Sequence, residues 1–157
     1  MRYWLMKSEP DEVSIDDLAK APKKTVSWFG VRNYQARNYM RDDMKVGDRA
    51  LFYHSSCPEP GIAGICEICM PAHPDTTQFD PKSPYYDPKS TLEAPRWMNV
   101  DVMFVEKTRL VSLAELREHK ALEQMRVLQR GNRLSITPVE PKEYAFIVKL
   151  AAKNPRT

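Results

Sequence analysis

Glycine is scarce. Five glycines in 157 residues leave no Gly-rich loop to cradle phosphates, so nucleotide hydrolysis has no motif behind it. Cysteine is sparse and odd in number. Cys57, Cys66 and Cys69 argue against a disulfide framework and suit a reducing compartment. Cys66 and Cys69 match C-x-x-C in letters, but GIAGICEIC reads as a strand, where positions three apart face opposite sides. Two thiolates so placed cannot share one zinc, and His73 and His119 have no ligand spacing to each other. No metal and no cofactor are expected. No apolar run approaches the roughly 20 residues a membrane helix needs, so no membrane partner is expected. The opening MRYWLMKSEP lacks an apolar h-region and a small-residue cleavage site. It reads as a strand rather than a signal peptide, and a cytoplasmic protein is the expectation.

The most telling absence is of acid. SWFGVRNYQARN, residues 27–38, carries two arginines, two asparagines and a glutamine among large aromatics, with no carboxylate. It lies in a basic stretch, Lys20 to Arg49, with eight bases against three acids. The stretch from Cys66 to Glu106 is opposite in sign, with seven acids against three bases. A local positive field favours an anionic ligand such as a phosphate backbone. The simpler alternative is a solvated basic surface.

Apolar alternation and punctuation give the elements. Residues 2–7, 49–55, 61–69 and 98–107 and the short SITPV read as strands. Ser14 starts a short helix that ends near Pro22, a second runs from about Asn33 to Asp43, and Ser112 caps a third. LEQMRVLQRG reads as continuing helically to Gly131, and Pro141 opens a final helix. Six prolines between Pro71 and Pro95 predict a long loop, neither helix nor central strand. Its Phe79, Tyr85 and Tyr86 favour an ordered loop over a free linker. The length fits one domain over residues 1–157. The sum is an α+β chain with a mixed, mostly antiparallel sheet curled into a partial barrel.

On a helical wheel Ala36, Met40 and Met44 form the buried face, and Asn33 and Arg37 land on the same side. Either Asn33 caps the helix and Arg37 joins a buried ion pair, or both point into a pocket beside Trp28. Gly30, two residues on from Trp28, would let backbone approach closely or take a positive φ. His54 and Ser55 tempt one toward a base and nucleophile, but neighbours on a strand face opposite ways. Lining a pocket from the strand end is the better role for either.

Seven segments carry a resemblance. YWLMKSEP, WFGVRNYQARN, MKVGDRALFYHS, PGIAGICEI, TQFDPKSPYYDPKS, PRWMNVDV and RLSITPV together resemble the EVE domain family, in order and over nearly the whole chain. Ile68 stands where that family usually has valine. The resemblance implies a PUA-like fold with a curled sheet flanked by helices. It also implies kinship with YTH domains, which read a methylated base in single-stranded RNA through an aromatic cage. The expected partner is nucleic acid, DNA or RNA, carrying a modified base, and the expected role is a non-catalytic reader. The basic extension that precedes the nuclear eukaryotic members is not seen before Tyr3, so a bacterial, cytoplasmic version is expected.

A base out of its stack needs an aromatic face and a rigid polar fringe. Trp28 and Trp97 are the wall candidates, with Tyr53 and Phe79 behind them. Ser8, Asn33, His54, Ser55 and Asp80 are candidates for the polar edge. Lys7, Arg32 and Arg37 are candidates for holding phosphates or supporting the pocket. The competing readings are a sensor of a free nucleoside-like molecule, and an enzyme acting on a modified base or nucleotide, with His54 and Asp80 as its acid and base.

Overall fold

A computed structural model of the chain describes residues 1–153. Period-two alternation builds its sheet. Along β1 (Tyr3–Ser8), Trp4 and Met6 face one side, Leu5 faces the other, and all three are buried. The remaining strands are β2 (Thr25–Ser27), β3 (Arg49–His54), β4 (Gly61–Pro74), β5 (Met98–Ser112) and β6 (Ile136–Val139). They form one sheet in the order β2-β5-β4-β3-β1-β6. Only β1 and β3 run parallel; the other neighbours are antiparallel. This is the mixed, mostly antiparallel α+β architecture expected. The sheet does not close, since β2 and β6 are its edges.

Both faces are covered, which is why the central strands are apolar on both sides. One face packs Trp4, Met6, Phe52, Cys66 and Ile68 against Ile15 and Leu18 of α1 (Ile15–Lys20) and Ala36 of α2 (Tyr34–Asn38). The other packs Leu5, Leu51 and Ile65 against Leu116 of α3 (Leu113–Arg117) and Ile147 of α4 (Pro141–Ala151). Helix starts follow the sequence signals. Ser14 and Asp17 exchange side-chain-to-backbone bonds at 3.1 and 2.9 Å, a capping box. Ser112 caps α3, and Pro141 opens α4.

Three expectations fail. The segment 71–74 is strand, not loop: β4 runs on through Pro74 beside β5. The prolines lie where a strand tolerates them: β3 pairing ends at Glu67, which leaves one side of β4 without a neighbour, and the register with β5 slips between Met70 and His73. Second, LEQMRVLQRG is not a continuous helix. It makes two 3₁₀ turns, Lys120–Leu122 and Arg126–Leu128, that drop Leu122, Met125 and Val127 into the second core. Third, the helix from Asn33 keeps α geometry only to Asn38; Tyr39–Asp43 is a π turn, which still buries Met40.

Cys66 lies wholly buried on β4, and that burial pushes its thiol up to about 12. Native protein exposed to a thiol-alkylating reagent near pH 8 is therefore expected to leave Cys66 unmodified while unfolded protein reacts, a difference read by peptide mass spectrometry. Equal labelling in both states would contradict the burial.

Candidate functional site

Strands from opposite sides of the open sheet meet in one place. The ends of β1 and β2, together with Ser55 and Ser56 just past β3, line a hollow of about 480 Å³. In sheet order β2 and β1 are separated by β5, β4 and β3, so only a curled sheet lets both reach one cavity. The volume lies within the roughly 300–1,000 Å³ of small-ligand sites.

Trp28 supplies the apolar wall. Its backbone N–H donates to the Val100 carbonyl at 2.8 Å, and its ring stands edge-on to Phe52 at 5.4 Å. It is 7 % exposed, anchored in the first core yet lining the hollow. Phe29, 40 % exposed, lines the same hollow. Gly30 follows at φ +83°, and a Cβ there would lie 2.8 Å from Cζ of Tyr85. The Tyr85 ring rests on this bare backbone and meets Phe29 edge-on at 5.8 Å. Its hydroxyl donates to Glu12, and that carboxylate pushes the phenol up to about 12, so it stays a donor.

The Pro-rich loop that carries Tyr85 is pinned by a buried carboxylate. Asp75 accepts from the Gly30 N–H at 2.8 Å, from the Thr77 N–H at 2.8 Å and from Arg32 at 3.1 Å. Burial alone would raise its pKa, but the bonds from Thr77, Gly30 and Arg32 outweigh it and hold the carboxyl below the usual range. Arg32 also donates to the Tyr85 carbonyl at 2.8 Å and lies between the Tyr85 and Trp97 rings, 5.4 and 5.3 Å from their centroids.

Gly30→Ala is expected to destabilise the fold by at least about 1–2 kcal/mol, because a left-handed backbone penalises any Cβ, and to push Tyr85 off the wall. Urea unfolding reads the cost. A neutral substitution would contradict the seating of Tyr85 on Gly30.

Six of the residues expected from sequence come together here: Lys7, Ser8, Trp28, Arg32, Asn33 and Ser55 line the hollow. Ser8 Oγ donates to the Val13 carbonyl at 2.6 Å. Asn33 does cap its helix, its Oδ1 accepting from the Ala36 N–H at 3.0 Å. Lys7 makes no ion pair among the described residues, and burial pulls its ammonium below the usual lysine value.

Six others are not brought to it. Trp97 is buried beyond Arg32, stacked on Tyr34 at 4.8 Å, with its indole N–H on Asp87 at 2.8 Å. Tyr53 faces the second core, because strand alternation turns it away from the Phe52 side. Phe79 sits in a 3₁₀ turn, and Asp80 accepts from the Lys82 N–H in the exposed turn that follows. His54 accepts at Nε2 from the Ile15 N–H at 3.1 Å, and burial lowers its pKa, which favours the neutral ring that this bond needs. Among the described residues Arg37 joins no ion pair; it lies over Tyr34 and donates to Asn38 and to the Arg96 carbonyl.

Sequence reasoning missed Glu12, Phe29, Tyr85 and Arg133 as lining residues. The aromatics stranded in a Pro-rich loop were the available signal for Tyr85. Arg133 lies far along the chain and carried none.

Residues 2–150 match the EVE domain model. Human thymocyte nuclear protein 1 is 47% identical over 171 residues, covering 98% of this chain and 75% of that protein. A Pseudomonas syringae protein of solved structure matches with a TM-score of 0.91 and 49% identity, over 95% of this chain and 99% of that one. Human THYN1, solved in complex with DNA containing 5-methylcytosine, matches with a TM-score of 0.91 and 47% identity, over 99% of this chain and 100% of that one.

Proposed function

The chain belongs to the EVE domain family, and we propose that it is a non-catalytic reader that takes one modified nucleobase of a DNA or RNA strand into the hollow beside Trp28. The observation that carries this is an open hollow walled by three aromatic side chains and bordered by basic residues. Trp28, Phe29 and Tyr85 offer faces and edges to a flat heterocycle. Lys7 and Arg133 line the same hollow and make no ion pair among the described residues. They suit the phosphate of the captured nucleotide. The human relative solved with 5-methylcytosine DNA supports the same ligand class.

The cage of this reading is one indole with Phe29 and Tyr85, rather than two indoles. Arg32 supports the wall through its bonds to Asp75 and the Tyr85 carbonyl, Arg37 bonds away from the hollow, and the phosphate role falls to Arg133 and Lys7. The enzymatic alternative needs an acid and a base in the hollow. His54 and Asp80, the pair expected for it, bond elsewhere and do not line the hollow; the carboxylates that do are Glu9 and Glu12, and Glu12 is engaged by the Tyr85 hydroxyl. A methyl on the base adds about 0.8 kcal/mol for the buried carbon, a few-fold preference. Stronger discrimination requires hydrogen bonds left unmet by the wrong base.

The test is a binding screen of the pure protein against DNA and RNA oligonucleotides, plain and modified, at two salt concentrations. At least one modified strand is expected to bind more tightly than its plain counterpart, with affinity falling as salt rises. Equal affinity for plain and modified strands would sink base reading. Equal affinity for the free nucleoside, insensitive to salt, would make the protein a small-molecule sensor instead.

A further inference from the structure

The corner that leads into β2 is built against its own turn chemistry. Thr25 N–H returns to the Pro22 carbonyl across Lys23 and Lys24, and both central residues have positive φ, 55° and 53°. Two positive φ values in a tight turn mark type I′, which favours Asn-Gly because other L side chains are strained there. This chain places two lysines. Both are exposed and neither makes an ion pair among the described residues. Strained backbone of this kind clusters at functional sites, so the outlier raises the question of what these side chains do.

The location supplies one. Thr25–Ser27 runs from this corner straight into the wall of the hollow, where Val26, Ser27 and Trp28 line it. Three strand residues span about 10 Å, a reach of a few nucleotides. Lys24 Nζ lies 5.7 Å from the centroid of the half-buried Phe104 ring on β5, so its stem has apolar support while its charge stays at the surface.

We infer that the Lys23–Lys24 corner is a second contact surface, which holds the phosphate backbone of the strand as it leaves the hollow. The inference rests on the base-reading function above, and it makes the ligand a polynucleotide rather than a free nucleoside. It needs no new cavity, only a polyanion long enough to reach.

The decisive variant is Lys23→Asn/Lys24→Gly, which removes both charges while giving the turn its preferred residues. Its Tm is expected to rise, so any lost binding is not misfolding. The probes are a single-stranded DNA with one 5-methylcytosine and free 5-methyl-2′-deoxycytidine. The variant is expected to bind the strand roughly tenfold more weakly, with a salt slope smaller by about 1.4 for two lost phosphate contacts. Nucleoside affinity is expected to be unchanged. Trimming the strand on the side that faces the corner is expected to erase the difference from wild type. Unchanged strand affinity and salt slope in the variant would overturn the inference. Trp28→Ala, run alongside, keeps the two ideas separate: its loss of both ligands upholds the hollow whatever the lysines do.

Discussion

Trp28→Ala is expected to weaken binding of a modified-base oligonucleotide by roughly ten- to a hundredfold, since stacking one base on an aromatic face contributes about 1–3 kcal/mol. The same change is expected to cost the fold about 3 kcal/mol, the low end for removing a buried large aromatic, because the indole also packs edge-on against Phe52. The two effects separate by titrating at low temperature, where the variant remains folded, and by comparison with Trp28→Phe. Phenylalanine keeps an apolar face in the core but narrows the wall, so it is expected to fold well and bind at an intermediate level. Full affinity in both variants would remove Trp28 from the site.

Removing the carboxylate at Asp75 is expected to be comparably severe, and through a different route. Its side chain is fully buried, and it ties Gly30, Arg32 and Thr77 together. Asp75→Ala is expected to cost about 3 kcal/mol, the low end for opening a buried pair, because Arg32 keeps its bonds to the Tyr85 carbonyl. The loop that carries Tyr85 then loses its anchor to Gly30, and ligand affinity falls with it. Asp75→Asn isolates the charge. The folded-state pKa of Asp75 is depressed, so its contribution is present above the unfolded value of about 4. It is lost as pH falls through the folded value. The Tm gap between wild type and Asp75→Asn is therefore expected to be wide near pH 7 and to shrink below about pH 4. A gap independent of pH would show that the carboxylate charge is not what pins the loop.

Much of the fold was legible because it rests on local signals. Trp4, Leu5 and Met6 alternate across a sheet buried on both faces. Ser14 with Asp17, Ser112 and Pro141 are helix starts that need nothing from the rest of the chain. The failures lie where distant packing decides. The spacing of Leu122 and Met125 fits a helix or a 3₁₀ turn equally, and the second core selects the tighter turn. Pro71 and Pro74 forbid a central strand in general, but not one that lacks a neighbour on one side and carries a bulge.

The site divides along the same line. Lys7, Ser8, Trp28, Arg32, Asn33 and Ser55 sit at or just past strand ends or in the segment before α2, where sequence alone pointed. Trp97 does not line the hollow, and composition cannot tell an indole beside a cavity from one packed against an arginine that lines it. Tyr85 and Arg133 reach the hollow only through loop closure and sheet curl, which couple residues far apart in sequence.

The most direct measurement is the structure of this protein bound to a strand carrying one modified base that it prefers. One heterocycle, swung out of its stack and lying within van der Waals contact of the Trp28 indole between Phe29 and Tyr85, is the expected result. A strand bound on another face, with the hollow holding only solvent, would contradict base capture.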